Sequence, residues 1–336
     1  MHIGRFNLDD KVLVVAEIGN NHEGDPSLAL EMVAAAAAAG ADAVKVQIIN
    51  PEKLVNRSQV ERIAQLSAFR LPLSAFAEMA SLAQTKGLLF IASAFDIQSL
   101  ESIADLVSAI KIASGDLDFV PLLVKAASLN KPLLLSTGMS TLSEVRSAVK
   151  IIESQITSDS LYEKLALLHC ISLYPTPLGA ANLRAIQTLR HTFDLTVGYS
   201  DHTQGVEASI LAMAMGARII EKHFTLDKNR AFRDHAISSD PEELRCLANV
   251  AHNVDLILGS GEKVPSPAEQ EAALAARRSI VASRDLPEGT RLTVNDLDYV
   301  RPRHGLAPAA AISLLGRKLV VSLKAHDLIL ESHLEQ

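Results

Sequence analysis

The stretch VLVVAEIGNNHEGDPSLALEMVAAAAAAGADAVKVQ, residues 12–47, contains one complete strand–helix–strand unit. Residues 12–16 form a short continuous apolar run, the pattern of a strand buried on both faces. A polar, Gly-containing corner follows, then a helical stretch at 26–39, then a second apolar run at 43–47. Strict strand–helix alternation of this kind implies a parallel sheet, because two parallel strands need a crossover between them. The most apolar part of the helix, 32–40, is far below the ~18–20 residues of a membrane span. Its run of alanines suits close packing against a sheet instead.

Working outward, the same pattern recurs. Apolar runs at 88–92, 109–112, 132–135, 165–168, 195–198 and 218–221 bring the count to eight. Helical stretches lie between them, at 73–86, 120–129, 142–153, 181–189 and 206–215. Eight such units in about 250 residues predict a closed (β/α)8, or TIM, barrel. An open doubly wound sheet is the runner-up, but no Gly-rich dinucleotide fingerprint follows the first strand. After a helix near 241–258, GEKVPSPAEQE at 261–271 has the Pro, Ser and charge content of a linker. From Arg277 onward, short strands and turn residues take over. The expected organisation is a barrel at 1–260, a linker at 261–276 and a small domain at 277–336. So small a domain has a limited core and is expected to pack on another surface.

Composition narrows the function. The chain has a net charge of −7, with no cluster of Lys and Arg that would mark a nucleic-acid footprint. An anionic substrate must therefore meet a local basic pocket. Cys170 and Cys246 show no metal or redox spacing, and MHIGRFNLDD lacks the apolar stretch of a signal peptide. A cytoplasmic protein with reduced thiols and no membrane partner is expected.

A barrel of this kind builds its site at the C-terminal ends of its strands, and unusual chemistry collects there. Strand one ends in Glu17, followed by Asn20, Asn21 and His22; strand two carries Lys45 and Gln47; strand three reaches Ser93. Strand four leads to Lys111, Ser114 and Asp116, strand five to Ser136 and Thr137, strand six to His169, Ser172 and Tyr174. Strand seven leads to Ser200, Asp201 and His202, and strand eight ends in Glu221, Lys222 and His223. A lone strand-end lysine is more often solvated or ion-paired than catalytic, and a lone histidine more often structural. Such residues at one end of eight strands are a different observation, since random placement would scatter them to both ends.

Two constellations follow. Lys45 and Lys111, with the hydroxyls of Ser93, Ser114 and Ser136, suit a phosphate and a carboxylate held together, as in phosphoenolpyruvate. His202 and His223, on adjacent strands, suit a shared divalent metal with open positions for water and a carbonyl oxygen. Glu17, Asp116 and Asp234 are candidates for moving protons or steering water.

At these residues the chain resembles the sialic acid synthase (N-acetylneuraminate synthase) family of nonulosonate synthases. The stretches that carry the resemblance are AEIGNNHEGD (16–25), VKVQ (44–47), KIASGD (111–116), LSTGMS (135–140), LHCISLYPTP (168–177), GYSDHT (198–203), EKHFTLD (221–227) and RP (301–302). The segment from Arg277 is similar to the antifreeze-like, or SAF, domain of these synthases. The resemblance implies condensation of phosphoenolpyruvate with an open-chain N-acylated hexose, N-acetylmannosamine or a 6-deoxy-diacetamido hexose. It implies phosphoenolpyruvate contacts from Lys45, Ser93, Lys111, Ser114, Ser136 and Ser172, and sugar contacts from Gln47, Tyr174, Asp234 and Arg301. Glu17 and Asp116 match its proton-handling acids, and His202 and His223 its metal ligands. The metal is Mn²⁺ in the family, with Mg²⁺ or Co²⁺ as alternatives. A homodimer is implied in which the small domain swaps across to place Arg301 in the partner's site.

The chain departs from the family pattern at Ser172, where Asn is common, at FRDH (232–235), where GPDH is common, and in a compact segment 50–71. These departures bear on the sugar more than on the reaction. Two other readings compete: a Schiff-base pyruvate aldolase with Lys45 or Lys111 as nucleophile, and a catalytically silent sugar-binding homologue.

Overall fold

The computed structural model describes residues 1–156 and 160–335. Eight strands form a closed, wholly parallel barrel in sequence order. They are β1 Leu13–Gly19, β2 Ala43–Ile48, β3 Leu89–Ala94, β4 Ala109–Ile112, β5 Leu133–Ser136, β6 Leu165–Cys170, β7 Thr196–Asp201 and β8 Ile219–His223. The ring closes where β8 pairs with β1, from Ile219 opposite Leu13 to His223 opposite Glu17. The predicted fold class and strand order are those observed. Several strands run two or three residues beyond their apolar runs, to Gly19, Asp201 and His223. Ladder hydrogen bonds belong to the backbone, so pairing continues after the apolar side chains stop.

A helix follows each strand. The helix Ala185–Phe193 starts four residues later than the expected 181. A 3-10 turn at Leu178–Ala180 precedes it, and Asn182 stands at φ +46°, a left-handed backbone that a continuous helix cannot contain. Two helix starts are capped by side chains: Asp25 accepts from Ser27 N at 2.8 Å, and Thr141 with Glu144 forms a capping box.

Period-two alternation divides the apolar residues into two layers. Val14, Ala16, Val44, Val46, Ile110, Leu135 and Ile220 face outward, packed with Met32, Val33 and Ala36 of the helix Pro26–Ala38 and with the other helices. Leu13, Val15, Ala43, Ile91, Ala109, Leu134, Ala166, Leu168 and Ile219 fill the barrel interior, joined by Met1, Ile3 and Leu8 from the N-terminal segment. Interior space is so tight that a Cβ on Gly198 would lie 2.4 Å from Leu168 Cδ2 and 2.6 Å from the Ile219 carbonyl oxygen.

The chain divides into two compact units, Met1–Gly259 and Ser260–Gln336. In the second, β9 Ser279–Ala282 pairs antiparallel with β10 Leu297–Val300. Its core is small: Ile280, Ala282, Leu286, Leu292, Leu297, Leu314, Leu319, Leu323, Ile329 and Leu334. The stretch read as a linker carries a helix, Pro267–Ala276, capped by Ser266 with Glu269. The Arg303 amide donates to the Leu274 carbonyl at 2.7 Å, which ties that helix to the small unit. Among the described residues no helix is long and apolar enough to cross a membrane.

Candidate functional site

The interior rows of the barrel change character along each strand. On β8 the inward series is Ile219, Glu221, His223; on β1 it is Leu13, Val15, Glu17; on β2, Ala43, Lys45, Gln47. Inward positions on β3, β4, β5 and β7 end in Ser93, Lys111, Ser136 and Ser200. The closed ring thus carries an apolar floor and a polar upper layer, and all of that layer but the half-buried Gln47 is buried.

Glu221 is the hub of that layer. Its Oε1 lies 3.2 Å from Lys111 Nζ and 3.6 Å from Lys45 Nζ, and it accepts from Ser200 Oγ at 2.9 Å. Lys45 also pairs with Glu17 Oε1 at 3.0 Å, and Gln47 Nε2 donates to the same oxygen at 2.7 Å. A bulge in β1 between Glu17 and Gly19, with Gly19 at φ +54°, sets Glu17 in this position. Burial favours the neutral form of Glu221, but the two ammonium groups and Ser200 outweigh it and hold its pKa at about 2. Burial raises the pKa of Glu17 against the pull of Lys45, with the Glu221 charge adding to the rise. For Lys45 the order of effects reverses: burial opposes the ammonium, yet Glu17 and Glu221 together raise its pKa. Lys111 is lowered, by burial and by the like charge of Lys45, against the attraction of Glu221.

Five atoms of this layer are buried without a hydrogen-bond partner: Glu17 Oε2, Glu221 Oε2, Ser93 Oγ, Ser136 Oγ and His223 Nδ1. Buried polar groups are ordinarily paired, so this unspent capacity marks the place of a polar ligand. Beside it, the Gly138 amide donates to Ser114 Oγ at 3.0 Å. A Cβ on Gly138 would stand 2.4 Å from Ser172 Oγ and 2.8 Å from Ser114 Oγ, so the missing side chain leaves the two hydroxyls facing one small space.

The two histidines come together with Tyr174. Ring centroids of His202 and His223 are 5.5 Å apart, and Tyr174 lies 4.1 Å from His202 and 6.1 Å from His223. His202 Nδ1 donates to the Ile171 carbonyl at 2.9 Å, which fixes that proton; burial opposes the charged ring, but Cys170, that carbonyl and Glu221 outweigh it and raise the His202 pKa. Burial and the neighbouring His202 hold the His223 pKa well below the usual imidazole value, and its Nδ1 has no partner. Two such imidazoles fit a divalent ion. No group of three or more His, Cys, Asp or Glu side chains suited to an ion occurs among the described residues, so an ion held by these two rings would take its other ligands from water or substrate.

Gln47, Tyr174, His223 and Asp234 line one cavity of about 810 Å³ at the strand ends. Asp116 stands on the 3-10 turn Ser114–Asp116 after β4, half-buried, with its pKa raised to about 6 by burial and by Asp118. Arg301 belongs to the small unit, exposed, just after β10.

Sequence reasoning gave no role to Glu221, Ser200 or Cys170, whose Sγ lies 3.8 Å from His202 Nδ1. Period two along β6, β7 and β8 was the signal that places them inward. The same rule removes other candidates. Asp201 and Lys222 point outward and pair with each other at 3.0 Å, while His169 Nε2 donates to the Ala181 carbonyl at 2.8 Å.

Known proteins agree with this geometry. Residues 32–263 match the NeuB family, and residues 277–335 match the SAF domain. The chain is 40% identical to the N,N'-diacetyllegionaminic acid synthase of Legionella pneumophila, over 96% of this chain and 94% of that one. It is 33% identical to a pseudaminic acid synthase of Campylobacter jejuni, covering 99% of each. Among solved structures, the N-acetylneuraminic acid synthetase of Leptospira borgpetersenii superposes with a TM-score of 0.76 at 36% identity, over 81% of this chain and 94% of that one. A buried polar layer at the strand ends of a closed barrel, together with these likenesses, makes the chain a member of the NeuB family, an enzyme that forms a carbon–carbon bond by condensation and carries a C-terminal SAF domain.

Proposed function

We propose that this enzyme condenses phosphoenolpyruvate with the aldehyde of an open-chain N-acylated hexose, giving a sialic-acid-type nonulosonate and inorganic phosphate. One observation carries the reading: two buried lysines, two carboxylates and unpartnered serine hydroxyls share one interior layer with a pair of ligand-ready imidazoles. Lys45 and Lys111 neutralise the phosphate and carboxylate, exchanging part of their pairing with Glu17 and Glu221 for the substrate. Ser93, Ser114, Ser136 and Ser172 donate to the same anion. C3 of phosphoenolpyruvate attacks the aldehyde carbon, water adds at C2, and phosphate leaves by cleavage of the C2–O bond. Glu17, with its raised pKa, takes the proton of that water, and Asp116 delivers one to the new hydroxyl. A divalent ion on His202 and His223, Mn²⁺ or else Mg²⁺ or Co²⁺, supplies Lewis acidity at the aldehyde oxygen when bound. Gln47, Tyr174 and Asp234 hold the sugar.

The active unit is a homodimer in which Arg301 acts across the interface, donating to the N-acyl carbonyl of the sugar in the partner's site. The ten-residue core of the small unit supports this, since so little buried surface favours packing on a neighbour.

The decisive experiment incubates purified protein with phosphoenolpyruvate, Mn²⁺ and a panel of N-acylated hexoses, and reads phosphate release and product mass. Absence of both with every sugar sinks the reading. Borohydride trapping with pyruvate tests the aldolase alternative, which the lowered pKa of Lys111 favours and its ion pair with Glu221 opposes.

A further inference from the structure

The segment 224–239, which follows β8, is a loop closed at its base. The Ser239 amide donates to the His223 carbonyl at 2.7 Å, and the Thr225 amide donates to the Ser239 carbonyl at 3.0 Å. Between these ends the loop brings Phe232 and Asp234 to the lining of the cavity at the strand ends. Phe232 meets Phe69 edge to face, with ring centroids 4.7 Å apart. Asp234 is buried on the 3-10 turn Arg233–Ile237, and its carbonyl accepts from Ser238 Oγ at 2.6 Å.

The corner after β1 fastens this loop at both ends and in the middle. Asn21 Nδ2 donates to the Phe224 carbonyl at 2.8 Å and to Ser238 Oγ at 2.9 Å, which holds the ends. Glu23 holds the middle: Arg230 donates to it from Nε at 3.2 Å and from Nη2 at 3.0 Å, and His235 Nε2 lies 2.9 Å from its Oε1. Burial lowers the His235 pKa against the pull of Glu23, so the ring is neutral at pH 7. A neutral ring has one proton to give. With that proton on Nε2 it goes to Glu23, Nδ1 accepts from Thr225 Oγ1 at 2.6 Å, and the same hydroxyl accepts from the Asp227 amide at 3.2 Å. This run of hydrogen bonds ends on the Glu23 carboxylate. Burial opposes the Glu23 charge, but Arg230 and His235 outweigh it and lower the pKa.

The backbone of Glu23 gives a second sign. It stands at φ +49°, in the left-handed region that Gly or Asn enters more readily than Glu. A glutamate kept there against backbone preference is accounted for by what its side chain holds.

Resting on the condensation reading above, in which Asp234 holds the sugar, we infer that Glu23 is a positioning residue: through Arg230 and His235 it fixes the turn that carries Asp234, and so sets how well the sugar is held. The phosphoenolpyruvate side does not depend on it, because Lys45, Ser93, Lys111 and Ser136 stand on β2 to β5.

The test measures KM and kcat of the full chain by phosphate release, with Mn²⁺, saturating phosphoenolpyruvate and either N-acetylmannosamine or a 6-deoxy-diacetamido hexose as the varied sugar. Asn suits the left-handed backbone at 23 but is one methylene shorter. Glu23→Asn should therefore raise the sugar KM about tenfold, with a smaller change in kcat and none in the phosphoenolpyruvate KM. Arg230→Ala should do likewise, and Glu23→Gln, which keeps an oxygen for His235, should fall between Glu23→Asn and the unaltered chain. In an Asp234→Asn background, Glu23→Asn should raise the sugar KM no further, since a residue acting through another is silent once that other is lost. Additive effects of the two would mean that Glu23 acts on the sugar by itself, and the inference falls. It falls too if the sugar KM is unmoved in both Glu23→Asn and Arg230→Ala while the unaltered chain releases phosphate. No release by the unaltered chain with either sugar overturns the condensation reading, and this inference with it.

Discussion

Two buried lysine–carboxylate clusters meet on β8, where Glu221 and Lys222 are neighbours facing opposite sides of the ring, and they are built to opposite ends. On the outer face of β7 and β8, Lys222 Nζ pairs with Asp201 Oδ2 at 3.0 Å and also donates to the Thr203 carbonyl. Asp201 accepts in addition from Ser209 Oγ at 2.6 Å and the Thr203 amide at 2.8 Å, so both its oxygens are used. On the inner face, Glu221 and Glu17 each put one oxygen against the lysines and leave the other without a partner. A buried charge is tolerated when every lone pair and proton is matched. The outer cluster meets that condition by itself and pins the loop after β7. The inner one meets it only with a ligand present, which is what a binding site requires.

That contrast can be broken in four places. The largest effect is expected at the inner imidazoles: His202→Ala or His223→Ala should take turnover below detection while the thermal midpoint shifts little, since the Lewis acid proposed there would contribute several kcal/mol to the transition state. Full phosphate release by chelator-treated enzyme would sink this assignment. Next comes the outer cluster. Lys222→Met leaves Asp201 as an unpaired buried charge and should cost about 3–5 kcal/mol in denaturant unfolding, with kcat/KM of the folded fraction unchanged. If activity fell with no loss of stability, the outer pair would belong to the site.

A smaller change is expected at Lys111→Met, where the loss of charge-assisted hydrogen bonds, about 1.5–3 kcal/mol, should raise the apparent Kd for phosphoenolpyruvate about ten- to a hundredfold. Titration calorimetry would reveal an unchanged Kd, and the anion would then lie elsewhere. The smallest effect concerns Asp116. Its folded pKa of about 6 lies above the ordinary value of 3.8, so the fold disfavours its carboxylate. The associated stability is present below 3.8 and is lost as pH rises through about 6. Asp116→Asn should therefore flatten the stability profile across that window. An unaltered slope would mean that Asp116 is solvated.

Much of this was legible in the residues. Short apolar runs separated by helical stretches carry the (β/α)8 reading, because a strand covered on both faces has no polar side to show. Glu17, Lys45, Lys111, His202 and His223 stood out because each interrupts or ends such a run with a costly buried group. Glu221 did not stand out, since in EKH its neighbour Lys222 is equally polar and only the register with β1 and β7 says which of the two faces inward. Asn182 and the bulge at Glu17 were invisible for a similar reason: a single left-handed residue or a register shift leaves no periodic trace.

Local pattern alone was thus enough for the architecture and for the end of the barrel where polar residues collect, because those depend on side-chain type repeated along the chain, whereas the family showed in the resemblance of whole stretches such as KIASGD and GYSDHT. Pairing was another matter. That Glu221 bridges two lysines, that Gly138 opens a space between Ser114 and Ser172, and that Phe69 meets Phe232 in the cavity wall all join residues far apart in sequence. Closing the ring sets those distances and withdraws water from the groups they bring together. Both the shifted pKa values and the unpartnered atoms arise from that closure.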